Sequence, residues 1–401
     1  MKNELKLSEL QLKEIALDLE TKIERGLASE GEEILCLPTY IHPASGKIEG
    51  KATTLDFNGT NFRATVVALT EGGIEMNPED PKEKDLSVIR SQGFTEHDLL
   101  SRLSEFVNKI PLPENTPVGY CFSYLGRGLP DGDAELIRWS NGIEIPEMVG
   151  KPVGKPLLDF LNRTGKVTFT GIKVINDTVA NLFAGMVKPG YDAYIGLIVG
   201  ASTNMATFIN ADRIPKLGKD LNWQGLIPVN LESGNFNPPH LTKYDDGLDE
   251  RSDDKGGHRF EKAVSGMYIG QLMRELFPED DFSVSVDVKA LTGIINFPEK
   301  HKKNHVKAAK RIYKRSAKLV AASLAGLIDL LISYDGSIKR IKITAEGSLF
   351  WSKVKNCRNY NKLVKRTLKD MMADMGHKKI KIKIARIENA NLVGAGIAAL
   401  S

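Results

Sequence analysis

An α/β fold with two lobes is what the sequence predicts, and three features carry that prediction. Two β-rich runs, Thr53 to Phe57 and Phe62 to Leu69, are joined by the polar turn Asn58-Gly59-Thr60-Asn61, the pattern of a hairpin. A related pair of runs, Ile195 to Val199 and Met205 to Ile209, flanks Gly200-Ala201-Ser202-Thr203. Aligning Thr60-Asn61 with Thr203-Asn204 also brings Ala64-Thr65 over Ala206-Thr207, so one supersecondary unit occurs twice. The strand-like Lys173 to Ile175 runs directly into a helical pattern at Asp177 to Met186, and strands alternating with helices in this way give sheets covered by helices. A chain of 401 residues also exceeds one ordinary core.

Taken in order, Ser8 with Gln11 forms a capping box, and Leu12, Ile15, Leu19 and Ile23 recur at helical spacing until Gly26, predicting an amphipathic helix. Loops are expected at Asn77 to Lys84, Asn235 to Pro239 and Tyr244 to Gly257, all rich in Asp, Gly, Pro or Asn. A helix is expected from Phe260 to Phe277. Ser316 to Leu331 and Leu392 to Leu400 read as helices whose small residues allow close backbone approach.

With 41% hydrophobic and 26% charged residues, the composition is that of a globular protein and excludes general disorder. The net charge of +4 is unevenly spread: residues 301–386 hold 23 Lys+Arg against 5 Asp+Glu, a net of +18, leaving −14 for the rest. No nucleic-acid module accompanies this basic stretch, so no nucleic-acid partner is expected. It reads as a solvated face or as an attractor of anionic nucleotide. The apolar run Leu319 to Ile332 contains Asp329 and is shorter than the roughly 20 residues that span a bilayer, so no membrane partner is expected. Met1 to Leu19 has no continuous apolar core of a secretory signal. Cys36, Cys121 and Cys357 are scattered, without metal-ligand spacing, which predicts buried structural thiols in a reducing, cytoplasmic setting.

Several residue groups can carry chemistry. The turn Asp56 to Arg63 offers a carboxylate at one strand end, amides and a hydroxyl in the bend, and a guanidinium on the return strand. Such a loop can wrap a polyphosphate, with Asp56 holding magnesium through water; alone it is more often an ordinary hairpin turn, and the near-copy at Gly200 to Asn204 favours the first reading. In Ile175-Asn176-Asp177-Thr178, Asp177 stands where a strand ends and a helix begins, the edge at which α/β proteins place ligands. It serves either as a helix cap or as a base taking a proton from a hydroxyl. Glu232 and Glu261, singly capping or solvated acids, together with Asn176, Asp177 and Asn204 form an acceptor set suited to a polyhydroxylated ligand. His258 belongs to a loop and can line such a site. No Walker-type loop or His-centred nucleophile is present.

These segments resemble the hexokinase family of the actin-like sugar kinase superfamily. The resemblance rests on "LDFNGTNFR" at 55–63, "CFSY" at 121–124, "RWSNG" at 138–142, "VINDTVANLFAG" at 174–185, "IGLIVGASTNMATFI" at 195–209, "IPVNLESGNF" at 227–236 and "RFEKAVSGMYIGQLMR" at 259–274. "KRSAKLVAASLAGLI" at 314–328, "ITAEGSLFWSKV" at 343–354 and the Gly394-Ala395-Gly396 helix extend it over essentially residues 30–401.

The resemblance implies a two-domain actin-like ATPase fold, each domain built on a ribonuclease-H-like sheet, with a cleft between a small domain (49–177 plus 389–401) and a large one (1–48 plus 178–388). It implies an ATP-dependent, magnesium-using enzyme that phosphorylates glucose or a related hexose at its 6-hydroxyl. Asp177 matches the catalytic base. Ser123, Ser140, Asn141, Asn176, Asn204, Glu232 and Glu261 match sugar-contact positions. Asp56, Gly59, Thr60, Asn61 and Arg63 match the first phosphate loop, Gly200, Ala201 and Ser202 the second, and Gly347 and Ser348 the adenosine segment.

Departures from the family pattern concentrate on the nucleotide side. Asn58 stands for a glycine, and the expectation is that asparagine adopts the left-handed conformation there. Asn141 stands for a lysine, Ala201-Ser202 for a Thr-Gly pair, Glu346 for an aspartate and Leu392 for a glycine. The alternative expectation is therefore a hexokinase-like sugar sensor with little phosphotransfer, and a further one is a kinase using a donor other than ATP.

Overall fold

The computed structural model describes residues 4–43, 48–71, 73–140, 142–218, 223–280, 282 and 287–401, with the side chains of 78–80 left aside. The capping box forms as expected: Ser8 and Gln11 bond reciprocally at the start of α1 (Glu9–Ala28), which buries Leu12, Ile15, Leu19 and Ile23.

The first hairpin pairs β1 (Gly50–Asn58) with β2 (Asn61–Thr70), and β3 (Gly73–Asp85) extends it antiparallel. On the other side of β1 lie two parallel strands, β4 (Thr116–Phe122) and β5 (Phe169–Ile175), giving the order β3-β2-β1-β4-β5. The second hairpin repeats the plan. β6 (Ala193–Val199) pairs with β7 (Thr203–Asn210), β8 (Leu226–Asn230) continues antiparallel, and β9 (Arg340–Glu346) and β10 (Lys381–Ala385) add in parallel. The order is β8-β7-β6-β9-β10, with the two residues Leu37–Pro38 added beyond β8. The internal repeat legible in the two hairpins is thus a repeat of whole five-stranded sheets.

Each sheet ends in a helix. β5 runs into α2 (Asp177–Gly185), which packs on β6 and β9 of the other sheet. α4 (Ala390–Leu400) follows β10 and packs on β1 and β4. The two helices also pack on each other, and so tightly that a methyl group on Gly394 would lie 1.9 Å from the carbonyl oxygen of Ala180. The small residues of Leu392 to Leu400 are what permit this approach. α3 (Lys303–Tyr334) runs through the interior of the second half against α1 and the helix Tyr360–Asp374. By length and composition its apolar part suffices to cross a membrane, but 78% of that stretch is buried inside the protein, the environment of a core helix.

Three expected boundaries change. Asn77 to Lys84 is not a loop but lies within the edge strand β3, whose register against β2 jumps between the pairs Ala64↔Lys82 and Val66↔Asn77. Both prolines, 78 and 81, fall inside that jump, where no ladder hydrogen bond is required of them. Tyr244 to Gly257 contains the helix Lys243–Glu250, because a Thr242/Asp245 capping box starts it and its acids find buried cations. Asp245 takes a two-pronged hydrogen bond from Arg315 of α3 at 2.9 and 2.8 Å, and Asp249 pairs with Lys262 and Arg259. Phe260 to Phe277 is not one helix. Arg259–Val264 stops at Ser265, where the Gly266 amide donates to the Gly200 carbonyl at 2.6 Å, and Leu272–Leu276 resumes after a turn. Cys36 and Cys121 are buried as expected, whereas Cys357 is half-buried.

Candidate functional site

The catalytic candidates sit where chain geometry concentrates ligand-binding groups, at the C-terminal ends of the parallel strands. β5 ends in Asn176, which caps α2 by accepting from the Thr178 amide at 2.8 Å. Asn176 holds the N-cap position, and Asp177 follows as the first residue of the helix. Its Oδ1 accepts from the Thr178 amide (2.8 Å) and hydroxyl (3.3 Å), while its Oδ2 takes no hydrogen bond among the described residues. Burial, then the charges of Glu232 and Asp56, push the Asp177 carboxyl up to about 7 against the hydrogen bonds from Thr178.

Those two opposing charges come one from each sheet. Glu232 follows β8 with left-handed backbone (φ 54°), a costly conformation for a non-glycine residue and a mark of a constrained site. Its Oε1 accepts from Asn230 Nδ2 at 2.6 Å and Asn204 Nδ2 at 3.4 Å. Asn204 Oδ1 in turn accepts from the amides of Met205 (2.7 Å) and Ser233 (3.1 Å), fixing which face of the amide is presented. Glu261, in the first turn of Arg259–Val264, accepts the Thr203 amide at 3.1 Å. Burial raises both glutamates above the ordinary carboxylate range, with His258 opposing the rise in each case and Arg138 also doing so at Glu232. Asn204, Glu232 and Glu261 thus lie together as one acceptor-rich group.

The remaining sugar-contact candidates are placed less uniformly. Ser123, half-buried just past β4, donates its amide to the Phe57 carbonyl at 3.1 Å. Ser140 is exposed after the hairpin Leu125–Gly128/Ala134–Arg138, its carbonyl accepting from Ile143. Asn141 lies outside the described residues.

Asp56 and Arg63 are direct cross-strand partners on β1 and β2. Arg63 donates Nη2 and Nε to Asp56 Oδ2 (2.5 and 3.1 Å) and Nη1 to Asn389 Oδ1 (3.1 Å). Asn391 Nδ2 holds Asp56 Oδ1 at 3.2 Å. Gly59, not Asn58, is the left-handed residue of the turn (φ 59°), so the expected strain at Asn58 is absent. A positive φ at the first of two turn residues suits a tight hairpin, which leaves Gly59 and Thr60 at the tip and pairs Asn58 with Asn61. The Tyr124 hydroxyl donates to the Gly59 carbonyl, and the Leu86 amide to that of Thr60, anchoring the loop from beneath.

The second turn, Gly200 with exposed Ala201 and Ser202, lies against the end of β9. A methyl group on Gly200 would come within 3.3 Å of the Gly347 Cα, and Gly347 itself has φ 112°, with Ser348 exposed beside it. Burial raises Glu346, and Arg386 (3.9 Å) and then Arg63 act against the rise, so the first loop and the β9 end share one electrostatic environment.

The sequence reading missed four of these groups. Asn230 sits inside a quoted motif, but its bridging role depends on β7–β8 register. Asn389 and Asn391 have no local signal, since only the return of α4 to the first sheet brings them to Asp56 and Arg63. Arg138 meets His258 Nε2 at 3.3 Å, with His258 Nδ1 on Asp254 at 2.5 Å, a contact between distant loops.

The hexokinase family model matches this chain over residues 1–187, and a second hexokinase model matches 194–279 and 279–401. The chain belongs to the hexokinase family. Rice hexokinase-9 is 28% identical to it, across 97% of this chain and 86% of the rice protein. Hexokinase from Schistosoma mansoni complexed with glucose superposes with a TM-score of 0.81 at 21% identity, covering 99% and 96% of the two chains. A ROK-family glucokinase from Streptomyces griseus in complex with glucose and AMPPNP reaches 0.51 at 18% identity, covering 87% and 99%. The two repeated sheets around the site are therefore the two-domain actin-like sugar kinase fold, and the protein is a sugar kinase.

Proposed function

We propose that this hexokinase transfers the γ-phosphoryl group of ATP to the 6-hydroxyl of glucose or a related hexose, with Asp177 as the general base. The observation that carries this reading is a carboxyl held at about 7, with one oxygen anchored by Thr178 and the other unpartnered among the described residues, beside a cluster of sugar-type acceptors. Asn204, Glu232 and Glu261 fix the sugar hydroxyls, aided by Asn176, Ser123, Ser140 and Asn141. Asp177 takes the hydroxyl proton as the sugar oxygen bonds to phosphorus and the bond to the leaving ADP breaks. The lobe 49–177 plus 389–401 closes on the lobe 1–48 plus 178–388 and keeps water from competing with the sugar.

On the nucleotide side, Gly59, Thr60, Asn61 and Arg63 receive the terminal phosphates, Gly200, Ala201 and Ser202 the second phosphate contact, and Gly347 with Ser348 the adenosine. AMPPNP in the Streptomyces glucokinase supports a nucleotide donor for this fold. Asp56 is 1% exposed and both its oxygens are engaged, which fits contact with magnesium through water and not direct ligation. Magnesium held on the nucleotide phosphates would neutralise charge during transfer.

The test is ADP release across a panel of hexoses and hexosamines, run beside sugar-dependent thermal stabilisation. Sugar-dependent ADP release supports the kinase. Stabilisation by sugar without ADP release, the outcome suited to Ala201 and Ser202 at the second turn, would replace it with a sugar sensor. Release only with other nucleotides or polyphosphate would reassign the donor.

A further inference from the structure

The start of α3 lines a cavity of about 350 Å³, the size of a small-ligand site, to which no residue of the acceptor cluster contributes. Its floor is apolar, made by the buried side chains of Leu5, Leu276, Phe277 and Ala308. Its wall carries Lys303, Lys307 and Arg311. These three recur every four residues and therefore stand on one face of the helix, an arrangement whose mutual repulsion works against helix formation.

None of the three cations has an ion pair among the described residues. Asp280, an acid near this end of α3, is already paired with Lys302 at 2.5 Å and His305 at 2.7 Å. The first turn of α3 adds to the positive field, because Lys302 at the N-cap supplies no side-chain acceptor and the helix dipole points positive there, although the His305 amide donates to Asn304 Oδ1 at 3.0 Å. An apolar floor alone would suit any hydrophobic body, and three cations alone would suit any anion. The combination selects a molecule with both parts.

We propose that this cavity binds an anionic amphiphile, whose hydrocarbon body covers Leu5, Leu276, Phe277 and Ala308 while its phosphate or carboxylate meets Lys303, Lys307 and Arg311. The site is separate from the phosphoryl-transfer chemistry and stands or falls independently of it. The experiment is calorimetric titration of the full chain with dodecyl phosphate below its micelle concentration, with inorganic phosphate and dodecyl maltoside as separate arms. One equivalent of dodecyl phosphate should bind, and the other two should not bind at the same concentrations. The double variant Lys307→Glu/Arg311→Glu should weaken binding at least tenfold, and Ala308→Trp, which fills the floor, should do the same. Sugar-dependent ADP release and the circular dichroism spectrum should be unchanged in both variants. Absence of binding, equal binding of dodecyl maltoside, or undiminished affinity in either folded variant would overturn the proposal.

Discussion

After burial itself, the charge of Glu232 is the largest influence holding the Asp177 carboxyl up to about 7, although the two residues follow strands of different sheets. Asp177 and the acceptor cluster are thus electrostatically one unit, assembled only when both sheets are present.

This sets a pH dependence. Asp177 must be ionised to accept a proton, so kcat/KM should fall about tenfold per pH unit below an apparent pKa near 7 and level off above it. Initial rates at limiting sugar between pH 5 and 9 measure the limb; a flat profile through pH 6 would contradict the assignment.

Glu232→Gln removes the neighbouring charge while keeping one acceptor oxygen for Asn230 and Asn204. The acidic limb should move to lower pH in this variant, while sugar KM rises because one hydroxyl acceptor is weakened. A rise in KM with an unmoved limb would mean that Glu232 holds sugar without influencing the base.

The same shift appears in stability. Asp177 binds its proton more tightly folded than unfolded, so its contribution is fully present below about pH 4 and is lost as pH rises through about 7. Asp177→Asn should therefore stabilise the sugar-free protein at pH 8, by an amount on the order of 4 kcal/mol, and have little effect at pH 4. Denaturant melts at the two pH values report the difference.

Where α2 and α4 cross, there is no space for a side chain at position 394, since the obstruction is the Ala180 backbone. Gly394→Ala should cost about 1–3 kcal/mol by overpacking. Gly171→Ala, at a site with open space, is the control and should change little.

Much of this architecture was legible locally. The hairpins announce themselves through alternating apolar runs, the first also through Gly59 at its positive-φ turn position, and Asp177 through its place between strand and helix. The helix Lys243–Glu250 was not legible, because Asp245 is matched by Arg315, 70 residues away and buried in α3. Likewise β3 hides its strand character behind prolines that fall in the register jump. Asn389 and Asn391 become part of the site only through the return of the last helix to the first sheet, a property of topology that no short motif encodes.

The central claim is that Asp177 acts as the base of a sugar-dependent phosphoryl transfer, and it is tested most directly by sugar-dependent ADP release from Asp177→Ala at pH 8. The account predicts a loss of about a hundredfold or more, with sugar-dependent thermal stabilisation retained to show an intact binding cluster. ADP release equal to that of the unaltered protein would contradict it.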